Sequence, residues 1–249
     1  NLVERPDPAL SINLGKLDPN PLAGGPMRFS MAQDNGEYYL FYTAYEGGTA
    51  NIIRLKFNGS YMDENPQVDS ITDAMLGGNY IYVDQGISLN YDSVLNKWFG
   101  FHVNNRGRGV SSGIDLAGEL WKLDFGNSLS NTPTVSLVDS TIGHLIFAKG
   151  VDVVRDNAAN KWYIFVGMEK NWWKGEQPWS IARYEFNGTL NDPAPVYTKI
   201  TEQMLGAKPG QIGVILNSAQ STHTIQDKNG DWYTLALNRG SNSFFTRIY

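Results

Sequence analysis

Apolar and polar residues alternate with a period of two along most of the 249-residue chain, and short polar segments interrupt the alternation. This pattern predicts β-strands, because successive side chains of a strand point to opposite faces of a sheet. The apolar positions do not follow the 3.6-residue period of an amphipathic helix. The pattern therefore predicts an all-β protein.

One hairpin unit recurs four times. In each copy an alternating strand ends at an Asp, a polar turn follows, and a second strand opens with Trp or Tyr. Asp and Asn bond their own backbone in such turns, and Gly or Asn accepts positive φ. We expect the repeated Asp to have the same structural role in every copy. The four residues are Asp34, Asp92, Asp156 and Asp227.

Two further strands follow each of the first three hairpins. Segments 54–59, 122–127 and 183–188 match in register and end in a turn at Asn-Gly or Gly-Asn, and the last strands follow Pro66, Pro133 and Pro195. Proline is tolerated at the start of an edge strand. Four strands in each unit are typical of the blades of a β-propeller. The alternative, a β-sandwich, does not require one hairpin signature at similar intervals.

The repeats predict a single domain over residues 1–249 with about four blades, at roughly 15–76, 77–142, 143–205 and 206–249. Segment 1–14 matches the fourth strand and is expected to complete the last blade, which would close the ring and remove a sheet edge. The alternative is a larger propeller of five to seven blades. Because the chain begins at Asn1 rather than Met, we expect it to be processed or part of a longer chain or assembly.

Composition excludes several classes of function. The net charge of −5 and the scarcity of clustered Lys and Arg argue against a nucleic-acid partner. The absence of Cys excludes disulfides, thiol nucleophiles and Cys-based zinc sites. No apolar run is long enough to insert in a membrane. We expect no cofactor and no metal, since His102, His144 and His223 lack metal-ligand spacing.

The first strands of the blades should line the central channel of a propeller. Ser30, Ser88, Asp152 and His223 occupy equivalent positions there and should point in one direction. Such a ring could hold water, an ion or a small ligand, or it could be a solvated lining. Arg28, in the first of these strands, is also a candidate ligand-binding residue.

The loops that follow the second strands should cluster on one face of the propeller. Three of them carry Asn beside Arg or Trp, which suit sugar hydroxyls, carboxylates or a protein partner. Trp172 and Trp173 lie in one such polar loop, although one of them could instead be buried under it. The other candidate binding residues in these loops are Tyr45, Asn104, Arg106, Asn238 and Arg239.

A glycoside hydrolase is the enzymatic alternative. Segment 38–43 resembles a strand of propeller hydrolases with five blades, which carry carboxylates at the mouth of the channel. Such catalysis needs two carboxyl groups with separated pKa values, and the candidates are Asp84, Asp152 and Glu169. Carboxylates are absent from the other blade-equivalent positions, so the preferred hypothesis contains no catalytic residue.

Segment 123–135, together with the recurrent Asp-to-Lys-Trp hairpin, resembles repeats of large secreted surface proteins of Bacteroidota. The resemblance implies an adhesin-like protein outside the cell or on its surface, or a virion component of viruses of such hosts. It transfers no catalytic residue. The sequence thus favours a non-catalytic binding or adhesion module for a glycan or protein partner, with a hydrolase or a purely structural assembly component as alternatives.

Overall fold

The protein is described here by a computed structural model. The described residues are 29–46, 49–61, 63, 65–78, 86–105, 118–146, 148–168, 180–201, 203–204, 219–226, 232–238 and 244–248. They form fifteen β-strands in four antiparallel sheets, with a single short 3-10 helix at Ala74–Leu76. The predicted all-β class is confirmed.

Each sheet uses consecutive strands in sequence order. The first sheet contains β1 (Phe29–Asp34), β2 (Glu37–Glu46), β3 (Thr49–Phe57) and β4 (Gln67–Ile71). The second contains β5 (Ile87–Asp92), β6 (Lys97–Asn105), β7 (Gly118–Gly126) and β8 (Thr134–Asp139). The third contains β9 (Ala148–Asp156), β10 (Lys161–Met168), β11 (Ser180–Asn187) and β12 (Val196–Thr201). The fourth contains β13 (Ala219–Gln226), β14 (Trp232–Asn238) and β15 (Phe244–Ile248).

The first strands of the sheets are neighbours in space. β1 contacts β5, β5 contacts β9, and β9 contacts β13. These four inner strands therefore surround a common axis, and the other strands of each sheet extend outward from it. This is the β-propeller that the repeats predict, and it differs from a sandwich, in which two sheets pack face to face.

The backbone of the hairpin turns explains why polar residues recur between the first and second strands of each repeat. Asn35, Asn96 and Asn160 have φ of 51, 55 and 53° in the turns between the first and second strands. The left-handed conformation is sterically costly for most residues, whereas Asn and Gly tolerate it. The recurring turn residues are thus fixed by the backbone of the hairpin.

Apolar side chains fill the space between consecutive sheets at equivalent positions. Phe41 on β2 contacts Phe125 on β7 with ring centroids 5.4 Å apart, and Phe101 on β6 contacts Phe186 on β11 at 6.0 Å. All four rings are buried and meet edge to face. Aromatic pairs in this geometry stabilise the folded protein by more than the burial of their apolar area alone. The repeated aromatic residues of the sequence therefore form the interfaces between blades.

The repeated Asp residues also join consecutive sheets. Asp34 accepts a hydrogen bond from the backbone N–H of Leu129, and Asp92 accepts one from that of Leu190. Leu129 and Leu190 occupy equivalent turns after the third strands of the next sheets. Asp34 and Asp92 therefore share a bond between sheets that the sequence did not predict. The predicted bond within the hairpin turn is found for Asp92, which accepts from the Val94 and Leu95 N–H groups. Asp156 accepts from Ala159 in its own turn, and Asp227 lies outside the described residues.

The four sheets fall within the four predicted repeats. Segment 1–14 lies outside the described residues, so its expected role in the last blade stays a prediction. Within the described part of the chain, no helix has the length and apolar character needed to span a membrane.

Candidate functional site

The inner strands place one polar side chain of each blade at an equivalent position. Ser30, Ser88, Asp152 and His223 pair in register with Phe41, Phe101, Phe165 and Leu235 of the second strands. Because side chains alternate along a strand, these four residues point to corresponding sides of their sheets, as the sequence predicts.

Two members of this set bond to the next inner strand. The Ser30 hydroxyl accepts a hydrogen bond from the Leu89 N–H at 3.0 Å. One carboxylate oxygen of Asp152 accepts from the Thr224 N–H. Leu89 and Thr224 each follow the equivalent position by one residue, so the two contacts repeat the same geometry. The polar side chain at this position therefore links neighbouring inner strands.

Asp152 differs from the two serines because it carries an ionisable group. Only 14% of its side chain is exposed, and Oδ1 lies 3.9 Å from Nδ1 of His223, whose side chain is 70% exposed. Burial raises the pKa of Asp152, although the Thr224 N–H and the nearby His223 act in the opposite direction. A buried carboxyl on an inner strand that keeps its proton to higher pH is suited to proton donation.

A second group of polar side chains lies between the first and second sheets. The Gly86 N–H donates to Oγ1 of Thr43 at 3.2 Å, and the Gly86 carbonyl lies 2.8 Å from Nδ1 of His102. Gly86 directly precedes β5 and has a φ of 84°, a conformation that favours glycine. Burial lowers the pKa of His102 to about 4, against the opposing effect of the Gly86 bond. His102 is thus a neutral imidazole near pH 7.

Asn104 follows two residues later on the same face of β6. It was predicted to lie in the loop after the second strand, and this is wrong: it lies within β6 and is fully buried. The strand continues further than the polar sequence suggests because β7 pairs with it as far as Asn105. Across the ladder, Glu119 pairs with Asn104 and Trp121 with His102, and Trp121 Nε1 donates to Glu119 Oε2 at 3.0 Å.

A third polar cluster joins the outer strands of the second and third sheets. Asp139 Oδ2 accepts from the Tyr184 hydroxyl at 2.7 Å and lies 2.8 Å from Nδ1 of His144. The His144 ring stacks on Tyr197 with centroids 3.6 Å apart. Burial alone would raise the pKa of Asp139, but hydrogen bonds from Tyr184, Thr141 and His144 together lower it. This cluster lies at the outer edge and stabilises the junction.

The structure describes two of the remaining candidate binding and catalytic residues. Tyr45 and Asn238 lie near the ends of the second strands β2 and β14, rather than in the loops after them. The other candidate residues lie outside the described residues, so their roles stay predictions: Arg28, Asp84, Arg106, Glu169, Trp172, Trp173 and Arg239.

The sequence named Asn104 as a candidate binding residue in a loop, but it did not place Asn104 beside His102 on one buried face of β6. The signal was present, because a His and an Asn two residues apart in an apolar strand share a face, but that strand also contains aromatic core residues. No group of three or more His, Cys, Asp or Glu within the described ranges could hold a metal ion.

The fold is shared with solved glycoside hydrolases. A thermostable family-43 glycoside hydrolase is 11% identical, with a TM-score of 0.54, and the alignment covers 84% of this chain and 64% of that chain. A GH62 hydrolase in complex with xylotriose is 10% identical, with a TM-score of 0.55 and coverage of 88% and 64%. A putative glycoside hydrolase from Parabacteroides distasonis is 9% identical, with a TM-score of 0.51 and coverage of 92% and 70%.

These likenesses establish the fold. The chain spans 64% of the length of the family-43 and GH62 structures. No family model and no curated protein matches the sequence.

Proposed function

We propose that this protein is a glycoside hydrolase that acts on an oligosaccharide at the central axis of the propeller, with Asp152 as the proton-donating carboxyl group. The observation that carries the proposal is the environment of Asp152: an inner strand, a largely buried side chain and a raised pKa. A general acid in glycoside hydrolysis must retain its proton near the working pH.

The fold supports a carbohydrate substrate. The family-43 and GH62 structures that resemble this chain are glycoside hydrolases, and the GH62 structure is a complex with xylotriose. Fold alone does not determine chemistry, so the proposal depends on the carboxyl group and its position. Xylotriose is therefore a first test substrate.

Hydrolysis also requires a second carboxylate, as nucleophile or as the base that activates water. We propose that Glu169 or Asp84 supplies it. The described residues nearest to them in sequence lie where inner strands begin: Met168 pairs with Ala148, the first residue of β9, and Gly86 directly precedes β5. Asp152 lies on β9 four residues after Ala148, the first residue of that strand.

The test is hydrolysis of xylotriose and of aryl xylosides and arabinosides, followed by chromatography of the released sugars. We expect turnover by the wild type and a loss of kcat of roughly 10²–10⁴-fold in Asp152→Asn, which is isosteric but donates no carboxyl proton. Asp156→Asn is the matched control, because Asp156 lies on the same strand but bonds within a turn. Wild-type inactivity on all substrates, or full activity of Asp152→Asn, would contradict the proposal.

A non-catalytic glycan-binding module is the second candidate, and one observation favours it. At the positions equivalent to Asp152, the first two blades carry Ser30 and Ser88, and the Asp152 carboxylate accepts a backbone N–H as Ser30 does. On this hypothesis, Trp172→Ala with Trp173→Ala abolishes glycan binding while Asp152→Ala retains it. A hydrolase predicts that Asp152→Ala abolishes turnover. Location at a cell surface or on a virion, and a protein partner, remain parts of this candidate.

A further inference from the structure

The hydrogen bond of His102 fixes the tautomer of its ring. The Gly86 carbonyl can only accept, so Nδ1 of His102 carries the hydrogen and donates at 2.8 Å. In a neutral imidazole the other nitrogen, Nε2, is then an acceptor. Nε2 is buried, and no donor of the described residues lies within hydrogen-bond distance of it. The lone pair of Nε2 is therefore left unpaired.

Asn104 presents complementary groups on the same face of β6. It lies two residues after His102, on the same face of β6, and is fully buried. Within the part of the chain that the structure describes, neither Oδ1 nor Nδ2 has a hydrogen-bond partner. Buried polar groups in native proteins are almost always paired with protein, water or a ligand. Three unpaired polar atoms on one face indicate an occupant that both donates and accepts.

The register of β6 shows which sheet these unpaired side chains face. His102 pairs across the ladder with Ile87, which packs with Tyr39 and Phe41 of the first sheet. His102 and Asn104 therefore face the first sheet. Asn104 is the penultimate residue of β6, so the unpaired groups lie near the end of the propeller at which β5 begins.

Trp121 adds an aromatic surface on the same face. It pairs with His102 across the ladder, is half-buried, and its Nε1 bond to Glu119 fixes the orientation of the indole. Ligand sites commonly combine an aromatic side chain with a few placed polar groups. This arrangement is suited to a molecule with one apolar face and hydroxyl groups at its edge.

A hydroxyl group fits these requirements because it donates and accepts. One hydroxyl donates to Nε2 of His102, and a second accepts from Nδ2 of Asn104 and donates to its Oδ1. A cation fits poorly, since the Asn104 amide also presents N–H groups. We propose that the space beside His102 and Asn104, between the first and second sheets, is a subsite that binds two adjacent hydroxyl groups of a sugar residue. This inference rests on the proposed action on a glycan.

Nuclear magnetic resonance of the full chain labelled with ¹⁵N tests the proposal directly. Xylotriose, D-xylose and L-arabinose serve as probes, and the His102 ring nitrogens and the Asn104 side-chain amide are followed. We expect these resonances to shift with saturation during titration with at least one probe, while the His102 tautomer is retained. Sugar binding that leaves both side chains unshifted, or no binding of any probe, would overturn the proposal.

Asn104→Leu removes the amide and keeps the number of heavy atoms in the side chain. We expect at least a tenfold weaker Kd for the sugar, with a melting temperature equal to or above that of the wild type, because unpaired buried groups are removed. Asn90→Leu is the matched control: Asn90 lies on the same sheet but on the opposite face, and bonds to Ser88. Its Kd should be unchanged.

An unchanged Kd in folded Asn104→Leu would show that the space holds only water, and it would overturn the subsite. If Asn104→Leu does not fold, the resonance shifts of the wild type decide. The failure of the subsite and the failure of the hydrolase can be told apart. If the wild type hydrolyses the sugar and Asn104→Leu binds it with an unchanged Kd, only the subsite is refuted. If the sugar shifts the His102 and Asn104 resonances but is not hydrolysed, only the hydrolase is refuted.

Discussion

Asp34 accepts a hydrogen bond at 2.9 Å from the backbone N–H of Leu129, which lies 95 residues later in the chain. Asp92 and Leu190 form the same contact at 2.8 Å, 98 residues apart. In both cases the turn of one blade is bonded to the turn after the third strand of the next. The repeat in the sequence is therefore a repeat of contacts between sheets, as well as of strands within them.

Replacing Asp34 should destabilise the protein strongly. Its carboxylate also accepts from the Ser128 hydroxyl at 2.8 Å and from Trp98 Nε1 at 3.1 Å. Asp34→Ala leaves these donors unpaired, and the buried Leu129 N–H is the costliest of them. We expect a loss of roughly 2–4 kcal/mol in the free energy of unfolding, measured by urea denaturation.

Asp156→Ala is the control for this prediction. It occupies the equivalent turn, and the hydrogen bond described for its carboxylate is to Ala159 in that turn. We expect a loss of about 1 kcal/mol. Equal losses in the two variants would show that the bond between sheets adds nothing.

Phe101 should be among the most sensitive core positions. It is fully buried and packs against Phe186 of the next sheet. Phe101→Ala should lower the free energy of unfolding by about 3–5 kcal/mol, because it removes apolar area and leaves a cavity. Val94→Ala, at a residue that is 66% exposed, should change it by less than about 0.5 kcal/mol. Similar effects of the two substitutions in denaturation curves would contradict the packing between blades.

His102 makes stability depend on pH. Its pKa is lowered from 6.5 to about 4 in the folded protein, so as pH falls the unfolded chain takes up the proton first. Stability from this residue is present above pH 6.5 and is lost as pH falls towards 4. The loss is roughly 3 kcal/mol at about 1.4 kcal/mol per pKa unit.

The comparison with His102→Gln isolates this effect, since Gln does not titrate. Chemical denaturation at pH 7 and pH 4.5 should show a smaller decrease for His102→Gln than for the wild type. If wild type and His102→Gln lose the same stability, His102 is not buried as a neutral ring.

Tyr184 should control the ionisation of Asp139. Its hydroxyl donates to Asp139 Oδ2 at 2.7 Å, and this bond helps to lower the pKa of Asp139. Tyr184→Phe should raise that pKa and cost roughly 1–2 kcal/mol near neutral pH. The difference between wild type and variant should fall as acid protonates Asp139, because a lowered folded pKa contributes stability only above it.

The carboxyl ¹³C titration of Asp139 is the measurement. Tyr197→Phe is the matched control, since the Tyr197 hydroxyl donates to the His144 carbonyl rather than to Asp139. An unchanged Asp139 titration in Tyr184→Phe would contradict the assigned bond.

The fold could be predicted from the sequence because each blade repeats the same local physics. Asn35, Asn96 and Asn160 mark turns that need positive φ, and the aromatic residues after them alternate with polar ones. Because equivalent sequence patterns form equivalent sheets that pack in the same way, the repeats predicted successive sheets arranged around one axis.

The site was less predictable because it depends on which strands meet. Asn104 has the polar composition of a loop, and only its pairing with Glu119 in β7 places it in a buried strand. Asp152 could be selected from its register with Ser30, but its raised pKa arises from burial beside the fourth sheet. Polarity along the chain does not reveal such contacts between distant segments.

The central claim is that Asp152 donates a proton during glycan hydrolysis, and the pH dependence of kcat/KM tests it most directly. A general acid must be protonated, so activity should fall as pH rises through the pKa of Asp152, above the ordinary range for Asp. Asp152→Asn should abolish that limb along with most of the activity. Hydrolysis whose alkaline limb persists at full rate in Asp152→Asn would contradict the account.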